Sequence, residues 1–194
     1  MSKSDPSSAK KERNKAIRWI VTVFLVTIVI SGVISFASEE IMDGSTILLA
    51  FVILLVIVMI GILFDIIGVA VTSADERPFH SMAARKVPGA QEAIRLLRRA
   101  ERVSSICNDV IGDICGVVSG SASATIAAQV IANHAFSWPK LVTLALSALV
   151  AGLTVGGKAI GKTFAINSCT PIVHAVGKVI WVIHNIASLG KNKK

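Results

Sequence analysis

The longest uninterrupted apolar stretch, from Ile47 to Thr72, places the strongest constraint on what this chain can fold into. As a helix rising 1.5 Å per residue, its length of about 26 residues crosses a hydrocarbon core of roughly 30 Å. Hydrophobic residues make up 53% of the 194 residues and charged residues only 16%, against roughly 25% charged residues in soluble domains. The sequence therefore predicts a membrane protein in which this stretch is a span.

Three further apolar stretches predict three more spans. Residues 17–37 form a run longer than the apolar region of a signal peptide, which has roughly 7 to 15 residues, so we expect an uncleaved first transmembrane helix. Residues 1–16 are polar and basic without periodicity, which predicts a disordered tail. The remaining spans are expected over residues 103–135 and 141–155. The predicted fold class is an all-α, polytopic helical membrane protein with about four transmembrane helices.

The distribution of lysine and arginine predicts the orientation. These residues are frequent before residue 19, absent from the loop at 38–45, frequent again at 73–102, nearly absent around 133–140 and frequent from Lys158 onward. Cytosolic loops carry this excess of positive charge. We therefore expect a multi-pass protein of the cell membrane with both termini in the cytosol. The net charge of +8 then suits a lipid bilayer and not nucleic acid as the partner.

The basic segment 74–102 has the pattern of a cytosolic amphipathic hairpin. Ala93, Ile94 and Leu97 recur at helical spacing. The opposite side carries four arginines, namely Arg95, Arg98, Arg99 and Arg102. Three interpretations remain open for these arginines: contact with anionic lipid, docking of a protein partner, or anchoring by positive charge alone.

The last apolar segment, 171–189, is expected to lie in the membrane interface as a belt helix. His174, Lys178 and Asn185 recur on one side of it, and both flanks are basic. An amphipathic helix parallel to the membrane fits both features.

Two ridges of small residues favour close helix packing. The third span carries one ridge and could also break near residues 120–123, and the fourth span carries the other. Because such ridges let helix backbones approach, we expect a homodimer. The ridges consist of Gly116, Gly120, Ala124 and Ala128, and of Ala148, Gly152 and Gly156.

Three acids fall inside the predicted spans: Asp65, Asp109 and Asp113. An ionisable group at membrane depth costs a few kcal/mol and usually faces the bundle interior with a partner or an ion. Asp109 and Asp113 are four residues apart and share a helix face, and Asn108 faces nearly the same way. Each acid belongs either to an ion site or to a structural ion pair with Lys158 or a hairpin arginine.

From about residue 47 to 190 the order of elements resembles the transmembrane domain of the CNNM/CorC (CorB-like) magnesium transporters. The family's Ser-Glu-Thr-Ala-Leu-Thr-Ser type motif is matched in "IGVAVTS" by Ala70, Thr72 and Ser73, while Gly68 and Val69 replace its Glu and Thr. Its Gly-Glu-Ile-x-Pro-Lys-Thr motif corresponds to "GKAIGKT", where Lys158 replaces the Glu. The chain contains no counterpart of the family's CBS domains.

This resemblance implies transport of a divalent cation, Mg²⁺ or a similar ion, across the membrane. Magnesium needs oxygen ligands in near-octahedral order, and Lys158 supplies none. Lys158 is instead expected as an internal counter-charge. The alternative is a non-transporting membrane scaffold or regulatory protein whose ion site Lys158 neutralises. The residues that could rebuild an oxygen site for the metal are Asp65, Ser105, Asn108, Asp109 and Asp113.

One motif points to another class of protein. Residues 156–163, "GGKAIGKT", satisfy the phosphate-loop pattern G-x-x-x-x-G-K-[ST]. That loop should follow a buried strand, whereas this segment ends a Leu- and Ala-rich helix, so we expect no nucleotide as a partner. The three cysteines and four histidines have no zinc-ligand spacing. No residue pattern favours catalysis, and we expect that the protein is not an enzyme.

Overall fold

A computed structural model describes residues 6–42, 45–133 and 138–191, and every element in these ranges is helical. Five helices or continuous helical segments are long and apolar enough to cross a membrane: 17–42, 47–73, 100–133, 139–167 and 169–187. The predicted class, a helical membrane protein, is confirmed. In chain order the elements are α1 (Pro6–Met42), α2 (Ile47–Ser73), α3 (Arg77–Ala84), α4 (Ala90–Leu97), α5 (Ala100–Ser105), a π-helix (Ile106–Gly112), α6 (Asp113–Asn133), α7 (Pro139–Asn167) and α8 (Cys169–Lys191).

Helix α2 lies at the centre of the bundle and contacts α5, the π-helix, α6, α7 and α8. Its glycines set the distances to its neighbours. A methyl group added to Gly61 would lie 2.9 Å from the Cβ of Cys115. The α2 backbone therefore packs directly against the third span at this position. On the other side, Gly157 and Gly161 of α7 pack against Ile62 and Ile66 of α2. Both pairs are 95 residues apart, so α2 and α7 run parallel.

Helix α1 packs against α6 and hardly against α2. Val23 contacts the cluster around Val110, and near the other end of α1 the Gln129 Nε2 donates to the Met42 carbonyl at 3.1 Å. The two helices are therefore parallel. Because α1 extends from Pro6 to Met42, both predicted bounds of the first span lie inside the helix. The segment "AKKERNKA" consists mainly of good helix formers, which an adjoining helix extends at little cost. Of the predicted tail, residues 1–5 lie outside the described part.

The segment 74–102 forms the predicted amphipathic structure as three short helices. Ala93, Ile94 and Leu97 are buried and the four arginines are exposed. Gly89 begins α4 with a left-handed φ of 85°, where an added methyl would collide with the backbone of Lys178. A methyl added to Gly177 would likewise collide with the Gly89 carbonyl oxygen. The start of α4 and the middle of α8 are therefore in backbone contact, with no side chain between these two glycines. The hairpin is thus fixed to α8.

Helix α8 follows α7 closely in the chain but does not pack along it. Only Ser168 separates the two helices, and contacts between α7 and α8 are few. Instead α8 packs against α4 and the end of α2. It begins two residues before the predicted 171 and ends two after the predicted 189. Its length and apolar composition also allow a fifth span, so its predicted place in the interface stays a prediction.

The third span departs from regular α-helix at residues 106–112, and not near Gly120 where the glycines and serines predicted a break. Helix α6 is regular through residues 120–123, whereas residues 106–112 form a π-helix. A π-helix widens the turn by one residue and occurs frequently at functional sites. The expected break near Gly120 was therefore wrong, because glycine keeps its backbone N–H and C=O and so continues the helical hydrogen bonds of α6.

Candidate functional site

The contact between α2 and the third span runs through glycines that face larger side chains. Gly61 faces Cys115, and one turn beyond Asp65, Gly68 faces Asn108. In both pairs the residue numbers add to 176, as expected for antiparallel helices in register. By this register Asp65 lies level with the residues around Gly112, so the acid faces the C-terminal end of the π-helix.

Asp65 pairs with a lysine of α7 at this level. The Lys158 Nζ lies 4.0 Å from Asp65 Oδ1, and the two side chains are 25% and 17% exposed. The same Nζ would lie 3.4 Å from a methyl group added to Gly112. The ammonium group therefore occupies the point where α2, the π-helix and α7 meet. Because neither charge is well solvated, each depends on the other for compensation.

Asn108 occupies the next level of the contact. Its Nδ2 donates to the Ser104 hydroxyl at 3.2 Å, whereas its Oδ1 is buried without a hydrogen-bond partner among the described residues. That oxygen lies against the Cα of Gly68, where any larger residue would collide with it. A buried acceptor without a donor costs about 1–3 kcal/mol. This oxygen thus has unused acceptor capacity, and it is enclosed against Gly68.

The other predicted ligands lie on a different side of the helix. The Ser105 hydroxyl donates to Asp109 Oδ2 at 2.8 Å, and Asp109 and Asp113 are both exposed on the bundle surface. The expectation that Asn108 faces nearly the same way as Asp109 was wrong. Consecutive residues in a helix diverge by about 100°, which places Asn108 against α2 and Asp109 outside.

The five predicted oxygen ligands therefore divide into two groups. Asp65 and Asn108 lie near each other at the contact between α2 and the π-helix, while Ser105, Asp109 and Asp113 lie on the outer surface. Within residues 6–42, 45–133 and 138–191, no three His, Cys, Asp or Glu side chains are grouped so that they could hold a metal ion. The oxygen set around Asp65 consists of one carboxylate and one amide, with Lys158 beside them.

The sequence analysis did not identify the packing roles of Gly61, Gly68 and Gly112, or the contact of Ser104 with Asn108. Gly68 and Gly112 decide where Asn108 and Lys158 fit, and Ser104 orients the Asn108 amide. The signal was present in the spacing of Gly61 and Gly68, which are seven residues apart and therefore lie on one side of α2. The sequence carries no comparable signal for the π-helix.

The phosphate-loop pattern at 156–163 lies entirely within α7. Its residues are helical, so their backbone amides do not form the open loop in which this motif surrounds a phosphate. Lys162 is exposed on the helix surface.

The fold and these polar groups define a polytopic α-helical membrane protein with a lysine–aspartate pair inside its spans. Comparisons with known protein families, with characterised proteins and with solved structures give no match to this chain. The resemblance to CNNM/CorC transporters therefore stays a prediction from the quoted residues.

Proposed function

We propose that this protein moves a divalent cation, Mg²⁺ or a similar ion, across the cell membrane, with both termini in the cytosol. The observation that carries the proposal is the unpartnered Oδ1 of Asn108 in the π-helix, which faces Gly68 of α2 one turn from Asp65. Polar groups are retained inside a span at a cost of several kcal/mol, and they mark ion pathways for that reason.

Two protein oxygens suit a cation that keeps part of its hydration shell. Mg²⁺ loses water reluctantly and commonly binds through one or two carboxylates while retaining several waters. Asp65 would provide the carboxylate and Asn108 the amide oxygen. Lys158 holds Asp65 when no ion is present, and an arriving cation displaces the ammonium group. The pair thus keeps the acid from standing uncompensated in the membrane between ions.

Flux of Mg²⁺ into proteoliposomes, followed by a trapped fluorescent indicator, tests this proposal. The wild-type protein should give flux above empty liposomes, and Asp65→Asn should lower it at least about tenfold, since an amide lacks the charge that offsets dehydration of the ion. The control Glu101→Gln also removes one negative charge, at an exposed position in the first turn of α5, and should leave the flux unchanged. Wild-type flux equal to that of empty liposomes would contradict the proposal.

A homodimer through the outer side of α6 belongs to this proposal. The α2 midpoint lies near Ile60, so the α2–α6 register places the membrane centre near Gly116 and puts Asp113 about 4.5 Å from it. An exposed carboxylate at that depth costs roughly 2.5–3.5 kcal/mol on insertion scales. The small ridge beginning at Gly116 continues on the same side, and a methyl added to Gly116 or Gly120 meets nothing within 4 Å. A second copy packed on this ridge would cover Asp109 and Asp113.

A second function, a non-transporting membrane scaffold, is favoured by one specific observation. Lys158 already compensates Asp65 at 4.0 Å, and Asp109 and Asp113 are exposed on the outer surface. In this case the pair is a permanent structural element and the exposed hairpin recruits other molecules. The same flux assay separates the two functions, because a scaffold gives no flux with the wild-type protein or with any of these variants.

A further inference from the structure

A groove on the hairpin is bounded by α4, the start of α5 and α8. It encloses about 700 Å³ and is lined by Arg95, Arg98 and Arg99 together with Glu92, Val103 and Ile180. The lining thus combines guanidinium groups with aliphatic side chains. A groove of this composition suits a ligand that is anionic at one end and apolar at the other.

The guanidinium groups of these arginines keep hydrogen-bond donors that are available to a ligand. Arg95 Nη1 lies 4.0 Å from Glu92 Oε1, and Arg98 Nε lies 3.9 Å from a Glu76 carboxylate that also contacts His80. The Arg95 and Arg98 side chains remain 72% and 65% exposed. No described carboxylate lies within 4.0 Å of Arg99. Since such exposed pairs contribute little energy, an incoming anion meets at least one uncompensated guanidinium and displaces only weak contacts.

The contact between Arg102 and Trp19 indicates the depth of the groove relative to the membrane. Its guanidinium lies 5.6 Å from the centre of the Trp19 ring, and tryptophans gather where the hydrocarbon meets the headgroups. Trp19 lies at the start of the apolar part of α1, and Arg99 is one helical turn before Arg102. Arg99 is therefore level with headgroups, while Val103, which follows Arg102 along the third span, lies toward the acyl chains.

We propose that this groove binds an anionic phospholipid. Guanidinium groups form paired hydrogen bonds with phosphate oxygens, which Arg98 and Arg99 supply, while an acyl chain packs along Val103 and Ile180. A free phosphate ion would leave the aliphatic side chains unused. Basic pockets beside transmembrane helices bind anionic headgroups in this manner. The proposal is independent of cation movement, since it uses none of Asp65, Asn108 and Lys158.

Native mass spectrometry of the delipidated, detergent-solubilised protein tests the proposal. With equimolar phosphatidylglycerol and phosphatidylcholine, the wild-type protein should retain mainly phosphatidylglycerol. Arg98→Gln/Arg99→Gln should lower that retention roughly tenfold, since each arginine near the surface attracts anionic lipid. The matched control, Arg77→Gln/Arg85→Gln, removes two exposed arginines of the same hairpin outside the groove and should retain the lipid.

Several outcomes would overturn the proposal. Equal retention of the two lipids by the wild-type protein removes the selectivity, and this comparison holds even if a variant fails to fold. Equal losses in both double variants assign the binding to diffuse positive charge. Displacement of the lipid by millimolar inorganic phosphate assigns the groove to a soluble anion, and displacement by a polyglutamate peptide assigns it to a protein partner.

Discussion

Lys158 of α7 reaches across to Asp65 of α2, with 4.0 Å between Nζ and Oδ1, at the level where the π-helix ends at Gly112. Helices α2 and α7 run parallel, so this pair joins two spans that enter the membrane from the same side. A partly buried ion pair stabilises a fold little compared with an apolar contact of equal volume. The proposed cation site would give the two charges a role beyond stability.

The first prediction concerns the coupling of the two charges. Lys158→Met leaves Asp65 uncompensated and should lower the free energy of unfolding by about 2 kcal/mol, and Asp65→Asn should do the same for Lys158. The double variant removes both charges and should return to within about 1 kcal/mol of the wild type. Thermal unfolding in one fixed detergent measures all four proteins. A double variant that loses the sum of the single losses would show that the groups are not coupled.

The second prediction concerns the close contact of Gly68 with Asn108. Gly68→Ala introduces a methyl into the space of the Asn108 amide and should destabilise the protein by about 1–3 kcal/mol. Adding Asn108→Ala should restore most of this loss. Gly116→Ala is the matched control, because its methyl meets nothing within 4 Å, and it should be neutral or stabilising by up to about 1 kcal/mol. Equal effects of both glycine substitutions would mean that helix propensity alone decides.

The order and approximate position of four apolar helices could be predicted because their hydrophobic length is visible in the sequence. The number of spans could not, since α8 is a fifth helix long and apolar enough to cross the membrane. Residues 47–72 and α2 differ by one residue at the end. The amphipathic pattern of Ala93, Ile94 and Leu97 was equally reliable, since burial of one helix side leaves a 3.6-residue period.

The candidate site was less predictable because it depends on rotation of the helices about their axes. An apolar span has no polar side that would indicate which residues face inward. Neighbouring residues such as Asn108 and Asp109 point in directions about 100° apart, but the sequence does not show which of the two faces α2. The π-helix at 106–112 further changes the rotation between Ser105 and Asp113.

The third prediction concerns attachment of the hairpin to α8. Gly89→Ala requires an alanine at φ 85° and sets its methyl against the Lys178 backbone, so α4 should separate from α8. The left-handed conformation alone costs roughly 1–2 kcal/mol. Limited trypsin digestion should then cleave the arginine-rich segment at least several times faster. Gly152→Ala, which meets nothing within 4 Å, serves as the control, and an unchanged digestion rate in Gly89→Ala would refute this account of the contact.

The fourth prediction concerns the dimer. Gly120→Leu/Ala124→Leu places two large side chains on the exposed ridge of α6 and should weaken self-association at least about tenfold, because close approach of the helices requires small residues. Gly152→Leu/Gly156→Leu makes the same change on α7, where these residues line an apolar groove beside α2. Self-association of the fluorescently labelled protein in vesicles, measured by energy transfer, compares them. Loss of association only in the α7 variant would place the interface on the other ridge.

The affinity of the purified protein for Mg²⁺, measured by isothermal titration calorimetry, tests the central claim most directly. Lys158→Glu removes the competing ammonium group and adds a carboxylate beside Asp65 and Asn108, so it should bind Mg²⁺ at least about tenfold more tightly than the wild type, a gain of about 1.4 kcal/mol. Adding Asp65→Asn to that variant should abolish the gain. If Lys158→Glu binds Mg²⁺ no better than the wild type, the junction of α2, the π-helix and α7 is not a cation site.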